Sequence, residues 1–323
     1  MALPADSRLK EKTLVIVNPV AGGGRALRAE PLVADYFRQQ GLQADFTHSQ
    51  SSEDAGRRAA EAVASGYTCI VVLGGDGAFH HIVNGALPDA RGAATYRKVR
   101  GAAEPLLGLL PAGNGNDIAT GLGIPEDPIA AARTLLTAPV RRVDVLRARF
   151  ADGQTHLYVG AGGMGLDAEA ARLVHSRFRR LPGALRYGAA GLVVLRNFPP
   201  LEITAEMDSQ SWRGRVLFAA VANAPAYGAG VRVAPDAVMD DGWLDVVLVG
   251  EMPWFEVVDA LVEILRRDSR LEREAILRFR ARRVTLRADR AALFHGDGEV
   301  LGASPVEVEV LPGALRIVAP VPR

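Results

Sequence analysis

Three short apolar runs in the first third of the chain each end in a loop rich in glycine, and this repeat limits the fold more than any other feature. Residues 13–18 lead into Gly22-Gly23-Gly24, and residues 70–73 lead into Gly74-Gly75-Asp76-Gly77. Residues 106–110 lead into Pro111-Ala112-Gly113-Asn114-Gly115-Asn116-Asp117. Continuous apolar runs of this length read as strands buried on both faces, the pattern of a parallel sheet covered by helices. Residues 25–40 have helical periodicity and stop at Gly41, and residues 51–65 read as a second helix with Ser51, Ser52 and Asp54 near its start. In an open parallel sheet the loops that follow the strands are where ligands bind. The first part of the chain is therefore expected to be an α/β unit whose glycine loops share one ligand edge.

Beyond Arg142 the rhythm changes. Strand-like runs dominate at 143–150, 157–161, 201–207, 215–222, 243–249, 283–288 and 306–311, with helical stretches at 168–197 and 253–267. That pattern predicts an antiparallel, sandwich-like second domain. The 323 residues exceed one simple core, and the expected division is residues 1–142, completed by the tail 313–323, and residues 143–312. Residues 91–104 carry Arg91, Arg97, Lys98 and Arg100 among small residues and read as an exposed insertion.

Composition excludes some partners. Basic and acidic residues nearly cancel, 38 against 37, so no global field draws the chain to nucleic acid. Cys69 is the single cysteine and sits in an apolar run, as expected of a reduced thiol in a cytoplasmic protein. The N-terminal residues show no apolar stretch after their charges, and no apolar run approaches the ~20 residues that span a bilayer.

The loops carry groups suited to phosphoryl transfer. That chemistry needs backbone N–H groups around phosphates, carboxylates for a metal ion, and an acceptor for the proton of the attacking hydroxyl. Gly74, Gly75 and Gly77 let the backbone approach phosphates closely, while Asp76 adds a carboxylate. Asp117 closes the next loop, and Asp144 lies in the strand at the domain boundary. Late in the chain, Phe294-His295-Gly296-Asp297-Gly298-Glu299 offers Asp297 and Glu299 two residues apart. Each motif alone also suits a capped or hairpin turn, Asp-Gly above all.

Together these segments resemble the diacylglycerol-kinase catalytic family, which includes bacterial lipid kinases and sphingosine kinases. Asn18-Pro19-Val20-Ala21-Gly22 looks like its first nucleotide loop, Gly74–Gly77 with Asn84-Gly85 its signature loop, and Gly113–Asp117 its second loop. Val143-Asp144-Val145 resembles its domain-junction strand, and Asp297-Gly298-Glu299 its late acidic motif. The resemblance implies ATP and a membrane lipid as substrates, meeting in a cleft between two domains. It implies nucleotide contacts from Asn18, Gly22, Arg25, Gly74, Gly75, Gly77, Gly113, Asn114 and Asn116. Asp76, Asp117 and Asp144 would organise Mg2+, with Glu299 nearby, and Asp297 or Asp76 would act as general base. It further implies a structural metal held by Asp241 and the carbonyls of Val238 and Trp243, where oxygen ligands suit a hard cation.

Four departures stand out. Ala78 replaces the signature threonine, His80 and His81 replace a polar residue and a glutamate, Gly23 replaces a basic residue, and Asn114 replaces a hydroxyl residue. Arg25 is the candidate substitute for the missing base. Two other readings compete: a soluble NAD-kinase-like enzyme and a catalytically weak binding relative. Transient contact with an anionic membrane surface is expected of residues 170–201, where Arg172, Arg177, Arg179, Arg180, Arg186 and Arg196 occur without an acid. The oligomeric state is left open.

Overall fold

The computed structural model describes residues 12–87, 104–176, 190, 193–194, 198–228, 230–252, 256 and 275–321. The chain divides into two compact units, Met1–Val143 with Gly313–Arg323, and Asp144–Pro312.

The first unit is built on strands β1 (Thr13–Val17), β2 (Ala44–His48), β3 (Cys69–Gly74) and β4 (Leu106–Pro111). They run parallel in the order β4-β3-β1-β2. The far end of β15 (Val306–Val318) adds a fifth parallel strand through the pairing of Ile317 with Leu107. Every residue of β1, β3 and β4 is buried, which is why these segments are unbroken apolar runs. β2, on the edge, is half exposed and polar; its sequence ADFTH carries no strand signal of that kind.

Helices α1 (Arg25–Gln39), α2 (Ser52–Ala64), α3 (Asp76–Ala86), α4 (Asp117–Gly121) and α5 (Pro128–Thr137) complete the unit. Ser51 caps α2 by accepting the Asp54 amide at 3.1 Å, and Asp54 accepts the Gln50 amide at 2.9 Å in return. α2 and α3 meet backbone to backbone: a Cβ on Gly85 would lie 1.9 Å from the Gly56 carbonyl oxygen. Only two glycines permit this approach.

The second unit contains β6 (Thr155–Tyr158), β7 (Ala161–Gly165), α6 (Leu166–Ser176), β8 (Leu201–Met207), β9 (Gln210–Ala222), β10 (Leu244–Gly250), β11 (Ile276–Ala281), β12 (Arg283–Ala288), β13 (Leu293–Gly296) and β14 (Glu299–Ala303). The strands are antiparallel, and β5 (Val140–Phe150) and β15 each cross the boundary between units along the chain. β9 is long enough to serve two sets of neighbours. Its first half pairs with β8, and beyond Val216 it pairs with β7 and β10. Tyr158, Phe294 and Phe150 form the aromatic centre of the core, with successive ring centroids 6.1 Å apart.

One expected strand is two. The run at 157–161 breaks at Val159-Gly160, between β6 and β7, where both amides turn to a carboxylate instead of a neighbouring strand. The insertion at 91–103, most of the helical stretch beyond 176 and that at 253–267 lie outside the described residues.

Candidate active site

In the first unit three loops converge at the ends of β1, β3 and β4. The Asn18 amide donates to the Leu73 carbonyl at 3.0 Å, which docks the first loop on β3. Gly22 has φ +56°, and a Cβ there would meet the Ala112 carbonyl oxygen at 2.2 Å, so this position requires glycine. Gly75 and Gly113 touch in the same way, since a Cβ on Gly113 would lie 2.6 Å from the Gly75 Cα. Arg25 bridges the first and third loops by donating to the Gly113 carbonyl at 3.1 Å.

Asp76 and Asp117 share one side of Gly115. A Cβ on Gly115 would sit 3.2 Å from Asp76 Oδ2 and 3.3 Å from Asp117 Oδ2, so the two carboxylates converge on one small space. Asp76 also accepts the amides of Asp117 at 3.1 Å and Ile118 at 3.2 Å, which caps α4. Two hard oxygen donors on rigid loops fit a magnesium ion that keeps several waters.

The remaining loop residues divide into those that face outward and those that build the loop. Asn114 is exposed. Asn116 is buried in the left-handed conformation with φ 59°, its amide spent on both the N–H and the carbonyl of Gly113. Asn116 therefore shapes the loop. Ala78 is buried beside Gly74, and His80 is buried with its carbonyl accepting from Asn84 at 2.9 Å.

In the second unit the late acidic motif is the turn of the β13–β14 hairpin. Asp297 and Gly298 both have positive φ, 53° and 86°, as a two-residue turn of primed type requires. The Asp297 carboxylate accepts the Val159 amide at 2.9 Å and the Gly160 amide at 2.7 Å, while its own amide donates to the Ala161 carbonyl at 2.8 Å. Three bonds fix this side chain from both ends. Burial and the nearby Asp297 charge hold the Tyr158 phenol well above its usual range. Glu299 follows as the first residue of β14, partly exposed and paired with Gly296.

Asp144 belongs to the second unit and is buried. Its carboxylate accepts the Gly242 amide at 2.7 Å and its own amide donates to the Met239 carbonyl at 2.8 Å, so it pins the 239–242 loop. In that loop Asp241 accepts the Trp243 amide at 3.0 Å and pairs with the Arg280 guanidinium. Arg280 and Arg282 also lie over the Trp243 ring, 5.6 and 4.9 Å from its centroid. A guanidinium thus lies against Asp241, the residue that the resemblance implies as a metal ligand together with the carbonyls of Val238 and Trp243. Among the described residues no group of three or more His, Cys, Asp or Glu side chains could hold a metal ion.

The sequence reading missed a buried polar group beside Asp297. His295 Nε2 lies 3.2 Å from Asp167 Oδ2, which also accepts the Tyr227 hydroxyl at 3.0 Å. The two side chains of the pair are 2% and 8% exposed. No spacing rule joins residues so far apart; only the histidine inside an otherwise buried strand was visible. At the start of the arginine stretch Arg172 pairs with Glu169, the residue just before that stretch, at 2.8 Å. Arg172 and Arg290 border a cavity of about 330 Å3 whose walls include Leu173, Phe198, Leu201 and Leu293.

Residues 12–148 match the family model described as the diacylglycerol kinase catalytic domain, and residues 160–319 match the YegS C-terminal NAD kinase beta sandwich-like domain. The chain thus carries the catalytic domain of the diacylglycerol-kinase family. Within this family it is 27% identical over 312 residues to a protein of Bacillus subtilis (strain 168) named Diacylglycerol kinase, covering 96% of this chain and 97% of that one. It is also 27% identical over 307 residues to a protein of Stenotrophomonas maltophilia (strain K279a) named Probable lipid kinase YegS-like, covering 95% of each. A crystal structure of a diacylglycerol kinase from Bacillus anthracis str. Sterne shares the fold, with TM-score 0.69, 22% identity, and coverage of 96% and 97%. The α/β unit followed by a sandwich-like unit is thus the architecture of the diacylglycerol-kinase family.

Proposed function

We propose that this protein transfers the γ-phosphoryl group of ATP to a hydroxyl of a membrane lipid, diacylglycerol or a close analogue, with Mg2+. The observation that carries the reading is the convergence of Asp76 and Asp117 beside Gly115, on loops that end three parallel strands. Backbone amides of the glycine loops would take the phosphates, with Arg25 and exposed Asn114 at their border. Asp76 and Asp117 would hold the magnesium ion, which when bound neutralises charge on the phosphates. Asp144, whose carboxylate also accepts the Gly242 amide, would help organise the ion and its waters, as the resemblance implies.

Asp297 is the general base in this reading. Its carboxylate is oriented by two amides, and a carboxylate so fixed loses little freedom on accepting a hydroxyl proton. Glu299 would add negative charge close by. The cavity walled by Leu173, Phe198, Leu201 and Leu293 supports a lipid acceptor over a soluble nucleotide, because such an apolar wall suits an acyl chain. Among the described residues no helix is long and apolar enough to cross a membrane. Approach to the lipid would then depend on local basic residues, Arg177, Arg179 and Arg180 among them, and these three lie outside the described residues.

The deciding experiment supplies ATP labelled at the γ-phosphate, Mg2+ and a total lipid extract, with NAD in a parallel reaction. Label in a lipid product supports the reading. Label in NAD alone, or in neither, overturns it. Replacing Arg177, Arg179 and Arg180 by Gln should lower binding to anionic vesicles at low salt and leave turnover on a dispersed short-chain lipid near normal.

A further inference from the structure

The ribbon that holds Asp297 is fastened at its other end by a residue that the resemblance does not assign. β13 pairs antiparallel with β7, His295 opposite Gly163 and Gly296 opposite Gly162. At the turn end of this pairing the Asp297 carboxylate takes the amides of Val159 and Gly160. At the other end His295 reaches Asp167, the second residue of the helix that follows β7. The same short ribbon, residues 159–167, is thus fastened to residues 295–297 at both ends. Tyr227 adds a third hold by donating to the same Asp167 oxygen, and its ring lies 5.6 Å from the His295 ring.

The histidine is costly where it is. Its Nδ1 is buried and meets no hydrogen-bonding group among the described residues. With Nε2 donating to Asp167, that nitrogen is a buried lone pair without a donor, a cost that an apolar ring filling the same space would avoid. What histidine adds over such a ring is the bond to Asp167. Phe294, the neighbour on the other face of β13, already supplies the packing into the sandwich core.

We propose that His295 is a positioning residue for Asp297: through its bond to Asp167 it locks β13 against β7, so that the Asp297 carboxylate stays on the Val159 and Gly160 amides. This rests on the reading of Asp297 as the general base. The lock is a lever arm two residues long, and loosening it lets the turn rotate without unfolding the unit. Its consequence falls on the chemical step and leaves ATP binding alone, because the glycine loops lie on other strands.

The test compares His295→Phe, His295→Gln and Asp297→Asn, each alone and His295→Phe combined with Asp297→Asn, in the full chain. His295→Phe should lower kcat about tenfold with the KM for ATP unchanged, and His295→Gln, which can still donate to Asp167, should recover most of the loss. In the Asp297→Asn background His295→Phe should change kcat no further, since its effect passes through the missing carboxylate. Amide hydrogen exchange at Val159 and Gly160 should quicken in His295→Phe, a readout that stands even where activity is too low to measure. Normal kcat and unchanged exchange in His295→Phe would overturn the proposal while leaving Asp297 in place. An equal loss in both backgrounds would assign His295 a merely structural role. Normal turnover in Asp297→Asn would overturn the general-base reading and this proposal with it.

Discussion

The carboxylate of Asp76 caps the helix that Asp117 begins, so the two acidic residues of the glycine loops are joined by the backbone of one through the side chain of the other. Any movement of Asp117 relative to Asp76 must break the bonds at 3.1 and 3.2 Å. The fold thus preorganises the pair, and in the proposed function a magnesium ion would find both carboxylates already in place, which is where electrostatic catalysis gains most.

Asp76→Ala should therefore fail twice. Loss of the cap should cost about 1 kcal/mol of stability, and loss of the carboxylate should lower kcat by at least about a hundredfold. Asp76→Asn keeps an acceptor for the α4 amides and should regain most of the melting temperature but little of the activity. Thermal melts beside steady-state kinetics separate the two effects, and an Asn variant with normal kcat would remove Asp76 from the mechanism.

Asp297→Asn and Asp297→Ala should differ in stability but agree in activity. Asparagine tolerates the left-handed conformation and retains one acceptor, whereas alanine is strained at φ 53° and leaves the Val159 and Gly160 amides unpaired. Both should lower turnover by roughly a hundredfold or more if the carboxylate takes the proton. Denaturant titration is the control: the alanine variant, which leaves both amides unpaired, should lose more stability than the asparagine variant, which leaves one.

Gly85→Ala reverses the usual sign of a helix substitution. Alanine normally stabilises a helix interior by roughly 0.5–1 kcal/mol over glycine. Here the new methyl would meet the Gly56 carbonyl oxygen at 1.9 Å, so α2 and α3 must separate. We expect a net loss of about 2 kcal/mol, seen as a lower urea midpoint. A variant as stable as the parent would mean that the two helices part freely.

Asp54 makes the first unit sensitive to acid. The Gln50 amide first, then the Arg58 guanidinium, lowers its carboxyl to about 2 from an ordinary value of 3.8. A depressed carboxylate stabilises the fold fully above its unfolded value and loses that contribution as pH falls through its folded value. Asp54→Asn should thus melt below the parent at pH 7, and the gap should narrow between about pH 4 and pH 2. A gap constant across that window would mean that the charge of Asp54 contributes nothing to stability.

Much of the fold was legible because it rests on local patterns. Residues 201–207 and 283–288 alternate along their lengths and are strands at those bounds, and the three glycine loops follow three buried strands. β2 escaped notice because an edge strand needs few apolar residues, and β11 because ILRFRA keeps only one fully buried side chain. At the site, Asp76 and Asp297 announced themselves by residue type between glycines, and Asp117 by closing a glycine loop. What hydrogen bonds each of them makes was not written in any spacing. Asn116 shows the limit: its sequence suits a ligand contact, yet its side chain folds back on Gly113. His295 and Tyr227 were equally silent, since their meeting at Asp167 depends on β13, β7 and the loop beyond β9 coming together.

The crossing of β5 and β15 between units has a consequence for synthesis. A ribosome finishes β1 to β4 early, but the strand segment that pairs Ile317 with Leu107 emerges only after residues 144–312 have been made. Through that interval β4 keeps an open edge, and an open edge of buried strand invites pairing with other chains. The second unit can fold as soon as its own residues are out, and its β15 then delivers the missing strand. A nascent chain stalled before residue 313 should therefore expose the β4 edge, and a chaperone that masks strand edges would find its work there.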